Sequence, residues 1–343
     1  MTEREKSRQP RIRPSNPTIL ATAARIVHRL LQHHGLDADA LFIECRMDPF
    51  KLNDPRARYP LERWRMLWSV ADKRISDRCW GLVGGELWRA TDFHALGYAF
   101  LASRTLETAL IRLERYFRIV IQDVALRVET DPDHCRITYA TVPPDADIRP
   151  LQDTRWSVIL RMCREVYGPD LRLSEVMITH PWEPCSYEQY FGCPVRYEVG
   201  HSGLIFPLEV VRQSLPATNR ELAQENEKIL SNLDSTLPDT SIVDRVRRTV
   251  MHGLSSGEVS AETVARSLAL APRTLQRKLR QEGTTFQEVT DTVRKELAMQ
   301  YVLSGTYPLS EVMFLTGFAT QSAFSRAYKG WTGHTPSEDF GRC

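Results

Sequence analysis

The residues best equipped for recognition chemistry form a row of hydrogen-bond donors near the C-terminus. Arg273, Gln276, Arg277 and Arg280 recur at i, i+3, i+4 and i+7 after Pro272, with Thr274 beside them, while Leu275 and Leu279 fall on the opposite side. An arginine can bond guanine O6 and N7 through two N–H groups, glutamine can do the same for adenine N6 and N7, and a helix fits the major groove that displays those edges. Taken alone, such a stripe is also what a solvated helix face looks like.

The neighbouring residues decide how the stripe would be held. Val264, Ala265 and Leu268 recur at helical spacing behind a Ser260 cap, and Leu270 to Pro272 break that run before a second helix begins. Helix, short turn and helix with a donor-rich outer face is the pattern of a helix-turn-helix. It then occurs again. Leu309, Val312, Met313 and Leu315 form an apolar set, Gly317 stands where a helix end needs positive φ, and Thr320 can cap the next helix. In that helix Phe324, Ala327 and Tyr328 make the inner side, leaving Gln321, Ser322, Ser325, Arg326 and Lys329 outside.

Between the two copies, Thr285-Phe-Gln-Glu288 is a capping-box signature that opens a periodic run through Val289, Val293, Leu297, Ala298, Tyr301 and Val302. About 19 residues at 1.5 Å each give a helix roughly 28 Å long. Successive major grooves on one face of DNA lie roughly 34 Å apart, so the run has a suitable length to hold two reading helices over adjacent turns.

The stretch from Val259 to Pro336 resembles the DNA-binding domain of the AraC/XylS family of bacterial transcription regulators. The resemblance rests on Val264-Ala265-x-x-Leu268, Arg273-Thr-Leu-Gln-Arg277, Gly283-x-x-Phe286, Arg294-x-x-x-Ala298, Gly317-Phe318-x-x-x-Ser322-x-Phe324-x-Arg326-Ala-Tyr328 and Trp331-x-Gly333-x-Thr335-Pro336. It implies base or phosphate contacts by Arg273, Thr274, Gln276, Arg277, Arg280, Gln321, Ser322, Ser325, Arg326 and Lys329. This chain departs from the family's usual residues at Ala271, where a capping Ser is common, at Met313, where Ala is usual, and at Thr316, where Leu is usual.

With 343 residues the chain has room for two domains. No apolar run approaches the 18 or more residues of a spanning helix, and the N-terminus lacks a secretory apolar core, so a cytoplasmic protein without membrane association is expected. The formal net charge is only +2, and residues 241–343 carry 13 Lys and Arg against 10 Asp and Glu. Binding would therefore depend on a few placed contacts rather than on bulk charge. Seven scattered cysteines without a C-x-x-C pair predict reduced, packed thiols rather than a disulfide framework or a zinc site.

Upstream, residues 1–15 read as a disordered basic tail. A helix is expected from Pro17 through Leu31, stopped by Gly35, followed by helices over Asp37 to Arg46, Leu61 to Ile75, Cys79 to Leu87, Ala95 to Leu101 and Thr105 to Ile121. His28, His33 and His34 suit the negative end of the first helix better than a metal. The period then changes: Val124 to Glu129 and Cys135 to Val142 alternate around Asp131-Pro-Asp-His134, the pattern of a hairpin. A helix over Leu151 to Val166, strands at Val176 and Gly203, and a short helix from Tyr187 to Phe191 complete an α+β domain over 16–216. A helix and connector at 217–240 lead to the all-helical 241–343. Overall the fold is mainly α, an α+β sensing domain followed by two helix-turn-helix motifs on a linker helix.

The upstream domain resembles the ligand-binding domain of the branch of AraC/XylS regulators that includes regulators of ornithine catabolism. Asp54-Pro-x-x-Arg58-x-Pro60-Leu61, Gly97-Tyr98, Ala102-Ser103-x-Thr105-Leu106, Phe191-Gly-Cys-Pro-Val195 and Leu204-Ile-Phe-Pro207 carry that likeness. It implies a ligand-responsive regulator that binds promoter DNA, senses a small-molecule effector, forms a homodimer and activates transcription with RNA polymerase, with no cofactor and no enzyme chemistry. The competing readings are a fused enzyme or a haem or metal sensor. Neither a Pro-Cys-His run, nor G-x-S-x-G, nor H-E-x-x-H, nor a ligand-spaced histidine cluster is present to favour them. No effector contacts are nominated, and Trp64 and Trp68, four apart on an amphipathic helix, read as core.

Overall fold

A computed structural model describes residues 17–122, 124–141, 148–182, 185, 187–216, 219–237, 242–254, 259–305 and 307–340. The expected basic tail and the 238–240 connector lie outside the described residues. Two compact units divide at Leu237 and Pro238.

The first unit opens with a correction. Instead of one helix from Pro17, the chain forms strand β1 (Thr18–Leu20), a 3-10 turn over Ala21–Ala24 and only then α1 (Arg25–His33). The cause is not local. β1 pairs antiparallel with β2 (Arg58–Pro60), Thr18 donates from its amide and hydroxyl to Gln122 Oε1 at 2.9 and 2.8 Å, and Arg58 donates to Thr18 Oγ1 at 2.6 Å. Helix α1 stops where Gly35 takes φ +73°, and α2 (Ala38–Glu44) starts on the Asp37 carboxylate, which accepts from Ala40.

Next come α3 (Leu61–Arg74), α4 (Gly84–Leu87), α5 (Ala95–Leu101) and α6 (Leu106–Val120), the last capped by Thr105. The hairpin forms as β3 (Val124–Thr130) and β4 (His134–Thr141). Its turn is held by Asp131, whose carboxylate accepts from the amides of Asp133 and His134. Helix α7 (Arg149–Tyr167) follows, then β5 (Glu175–Met177), α8 (Tyr187–Phe191), β6 (Val195–Arg196), β7 (Ser202–Pro207) and α9 (Leu208–Val211). The sheet runs β3-β4-β7-β5-β6, antiparallel except where β5 meets β6.

The core of this unit is built around α7, buried on most of its circumference. Close approach to it requires missing side chains: a Cβ on Gly81 would lie 2.3 Å from the Pro150 carbonyl. Helix α10 (Arg220–Thr236) is built into the same unit. It buries Ala223 and Leu230, and Glu227 meets Arg112 and Arg115 at 3.3 and 3.5 Å.

Cys79 and Cys185, 106 positions apart, form a disulfide with Cα atoms 5.9 Å apart. This overturns the expectation of reduced thiols for that pair, because only the folded chain brings them together. Cys45, Cys135, Cys163 and Cys193 are free and buried, and burial pushes the Cys193 thiol up to about 11 and that of Cys135 up to about 12.

The second unit is helical throughout its described residues: α11 (Ile242–Gly253), α12 (Ala261–Ser267), α13 (Pro272–Gln281), α14 (Phe286–Ser304), α15 (Leu309–Leu315), α16 (Gln321–Thr332) and α17 (Pro336–Asp339). Two small cores share one helix. Val289, Val293 and Leu297 of α14 pack with Val264, Leu275 and Leu279, whereas Ala298 and Val302 pack with Val312, Phe324 and Tyr328. Burying the four of these Val and Leu side chains that α14 contributes, at about 1.5–3 kcal/mol each, makes it the spine of the unit.

Candidate nucleic-acid interface

The first helix-turn-helix is α12 and α13. Ser260 and Thr263 cap α12 reciprocally, and Pro272 opens α13 at a position where its missing N–H costs nothing. Ala271 sits at the cap with extended backbone and no side-chain acceptor, so this end lacks the bond that a serine would supply. Leu275 and Leu279 are fully buried, which fixes the rotation of α13 and turns Arg273, Gln276, Arg277 and Arg280 outward as exposed residues, with Thr274 half-buried.

Two contacts seat this helix. The Glu282 carboxylate accepts from the amides of Ile242 at 3.1 Å and Val243 at 3.4 Å, tying the end of α13 to the open N-terminus of α11. An acceptor there meets donors that the helix itself leaves unpaired. Arg245 donates to the Leu268 carbonyl at 3.2 Å, and Ala269 takes φ +55° in the turn between the reader and its supporting helix.

The second helix-turn-helix is α15 and α16. Gly317 takes φ +72° after α15, a conformation in which a Cβ would also meet Leu254 Cδ2 at 2.9 Å. Thr320 caps α16, accepting from Ala323 at 3.3 Å. Phe324 and Tyr328 are buried, the Tyr328 hydroxyl bonding Asp339 at 3.2 Å, and Gln321, Ser322, Arg326 and Lys329 are exposed, with Ser325 half-buried. Thr316 is wholly buried where the family usually has leucine, and its hydroxyl donates to the Val312 carbonyl at 2.7 Å. Bonding within its own helix is how the polar substitution is accommodated.

The charges on the outer faces are unspent. Among the described residues none of Arg273, Arg277, Arg280, Arg326 and Lys329 is in an ion pair, whereas Arg247 is committed to Glu296 at 2.5 Å. Two rows of exposed polar groups, each backed by a packed face and joined by one helix, can give hydrogen bonds to base edges and phosphates, and the amide oxygens of Gln276 and Gln321 can also accept from base amino groups. Sequence reasoning gave no role to Arg245, Glu282 or Arg294, which position the readers. Arg294 alone carried a signal, its place in the recurring spacing with Ala298.

Residues 264–342 match a helix-turn-helix domain family, and residues 35–215, more than half of the chain, match the arabinose-binding domain of AraC transcription regulators. The chain belongs to the AraC family of transcription regulators. This AraC-family chain is 29% identical over 320 residues to the ornithine utilization regulator of Pseudomonas aeruginosa, covering 90% of this chain and 92% of that one. It is 29% identical over 247 residues to the transcriptional regulator VirS of Mycobacterium tuberculosis, covering 68% and 70% of the two chains. The crystal structure of the transcriptional regulator CdpR from Pseudomonas aeruginosa aligns with 91% of the chain and 97% of its own, at 20% identity and a TM-score of 0.41. The AraC-family chain is thus a DNA-binding regulator with a ligand-binding N-terminal domain, and among its described residues no helix is long and apolar enough to cross a membrane.

Proposed function

We propose that the chain reads two successive major grooves of a promoter through α13 and α16, and that an effector in residues 16–216 controls when it does so. Arg273, Thr274, Gln276, Arg277 and Arg280 serve the first groove, with base readout by Arg273, Gln276 and Arg277. Gln321, Ser322, Ser325, Arg326 and Lys329 contact bases or phosphates in the second. The observation that carries this is the sharing of one 19-residue helix by the two cores, which spaces the readers on a rod of about 28 Å. The chain acts as a homodimer, contacts RNA polymerase as an activator, and turns over no substrate. An effector works by binding the DNA-competent state more tightly than the other.

The test is a footprint on cognate promoter DNA with Arg273, Gln276 and Arg277 replaced together by alanine. Protection of the half-site read by α13 should vanish, and Arg277→Ala alone should cost about 1–3 kcal/mol if its contact is bidentate. Unchanged protection in the triple variant would show that α13 is not a reader.

A further inference from the structure

Among the described cysteines, Cys79 and Cys185 stand apart. Cys45, Cys135, Cys163 and Cys193 are buried, and burial holds each thiol above its usual range, which makes them poor nucleophiles. Cys79 and Cys185 are instead joined to each other, Cys79 partly exposed and Cys185 6% exposed. The bond is out of place for a structural staple. A regulator of this family acts on DNA, and the compartment that holds DNA is kept reducing by glutathione and thioredoxin. Disulfides found there are usually transient, either catalytic or redox-sensing.

The pair links two segments that hold the same helix. Beside Cys79, the Arg78 carbonyl accepts from Arg149 of α7 at 2.7 Å, and Gly81 lies against Pro150 too closely for any side chain. Ahead of Cys185, Thr179 accepts from Gln152 at 2.7 Å, and His180 Nε2 lies 3.2 Å from one carboxylate oxygen of Asp153. Just after it, the Tyr187 hydroxyl donates to the other oxygen at 2.9 Å. Asp153 is only 2% exposed. A carboxylate that deep depends on its partners, because stripping one away leaves a buried charge uncompensated. The disulfide therefore fastens the segment that satisfies Asp153 to the segment packed on the same turns of α7.

We propose that Cys79 and Cys185 form a reversible thiol–disulfide exchange site, whose state sets how firmly the segment carrying His180 and Tyr187 is held on α7. Its reaction partner is a small thiol of the glutathione class, entering at Cys79, the more exposed of the two. The incoming thiolate forms a bond to the Cys79 sulfur as the Cys79–Cys185 bond breaks, and Cys185 leaves as a thiolate that takes up a proton. A second thiolate attacks the mixed disulfide, releases oxidised glutathione and leaves Cys79 to be protonated. The two glutathione thiols supply the two electrons, and oxidised glutathione drives the same steps backwards. In the open state the segment keeps only its hydrogen bonds, so the sensing unit gains a redox input beside its effector.

The experiment equilibrates the full chain in buffers of varied reduced-to-oxidised glutathione ratio, quenches with iodoacetamide and follows each cysteine by peptide mass spectrometry. Structural disulfides resist the glutathione pool. The expected result is that alkylation of Cys79 and Cys185 rises together, at least tenfold from the most oxidising to the most reducing buffer, and falls back when the ratio is reversed. A pair that stays closed at every ratio, or opens without closing again, would overturn the exchange site. Single variants test the point of entry. With oxidised glutathione, Cys185→Ser should acquire the adduct on Cys79 at least tenfold faster than Cys79→Ser acquires it on Cys185, and equal rates would overturn entry at Cys79. Hydrogen exchange then reads the release: reduction should speed the amides of α8 severalfold and leave the β3–β4 hairpin unchanged. The double variant Cys79→Ser/Cys185→Ser should show the fast α8 rate in either buffer. Equal acceleration of both elements, or none in α8, would overturn the local release.

Discussion

Arg294, midway along the shared helix, donates to the carbonyl of Gly317 at 3.3 Å in the turn that feeds the second reading helix. Its guanidinium also lies 5.3 Å from the centre of the Phe318 ring, close enough for a cation–π contact. The rod therefore grips the second reader by its turn as well as through its core. Arg294→Ala should cost about 1.5–3 kcal/mol of stability, the scale of a hydrogen bond to a charged group. In a footprint, protection by α16 should fall while that by α13 persists, and equal loss in both halves would contradict this division.

Ala271 offers a gain. Its φ of −72° and ψ of 143° are already those of a cap residue, and no side chain accepts from the first amides of α13. Ala271→Ser should raise stability by about 0.5–2 kcal/mol. A shift in the denaturant midpoint of the second unit measures it. No shift would mean that the amides are already satisfied by solvent.

The Cys79–Cys185 link closes a loop of 106 positions. For a loop of about 100 residues, chain entropy puts the stabilisation at no more than about 4.7 kcal/mol. Unfolding with and without a dithiol reductant should show wild type losing stability on reduction. Cys79→Ser should start lower and ignore the reductant.

Acid should weaken the first unit. Burial lowers the pKa of His34, with His33 adding to the effect, and burial lowers that of His94, with Arg56 adding. Their unfolded value is 6.5, so below it the unfolded chain binds more protons. The stability they confer is complete above that pH and is lost as pH falls through the depressed folded values. Burial acts in the opposite sense on Asp92, whose raised carboxyl stabilises the fold at low pH and loses that contribution as pH rises. Comparing denaturant midpoints of wild type and His34→Gln at pH 7.5 and 5.5 isolates the histidine term, and the variant should show the smaller drop.

Local chemistry was legible wherever one turn or one cap decides the outcome. Thr285 with Glu288, Ser260, Thr105 and Gly35 all mark the boundaries that their residue types demand. What the order of residues concealed was set by distant partners. Thr18 is drawn into a strand by Arg58 and Gln122, and Cys79 meets Cys185, 106 positions away, only in the folded chain. Strand β6 and helix α9, two and four residues long, are too short to show a period. At the candidate interface the outward residues followed from Leu275 and Leu279, but the grips by Glu282 and Arg245 depend on contacts 40 and 23 positions apart.

Because α14 contributes side chains to both small cores, neither reading head is a cassette that can be lifted out whole. The seam falls between Leu297 and Ala298, in mid-helix, with Tyr301 touching both sides. An engineer exchanging the second head for that of a relative must splice ahead of Arg294, about one turn before that seam, or the grafted head will arrive without its anchor.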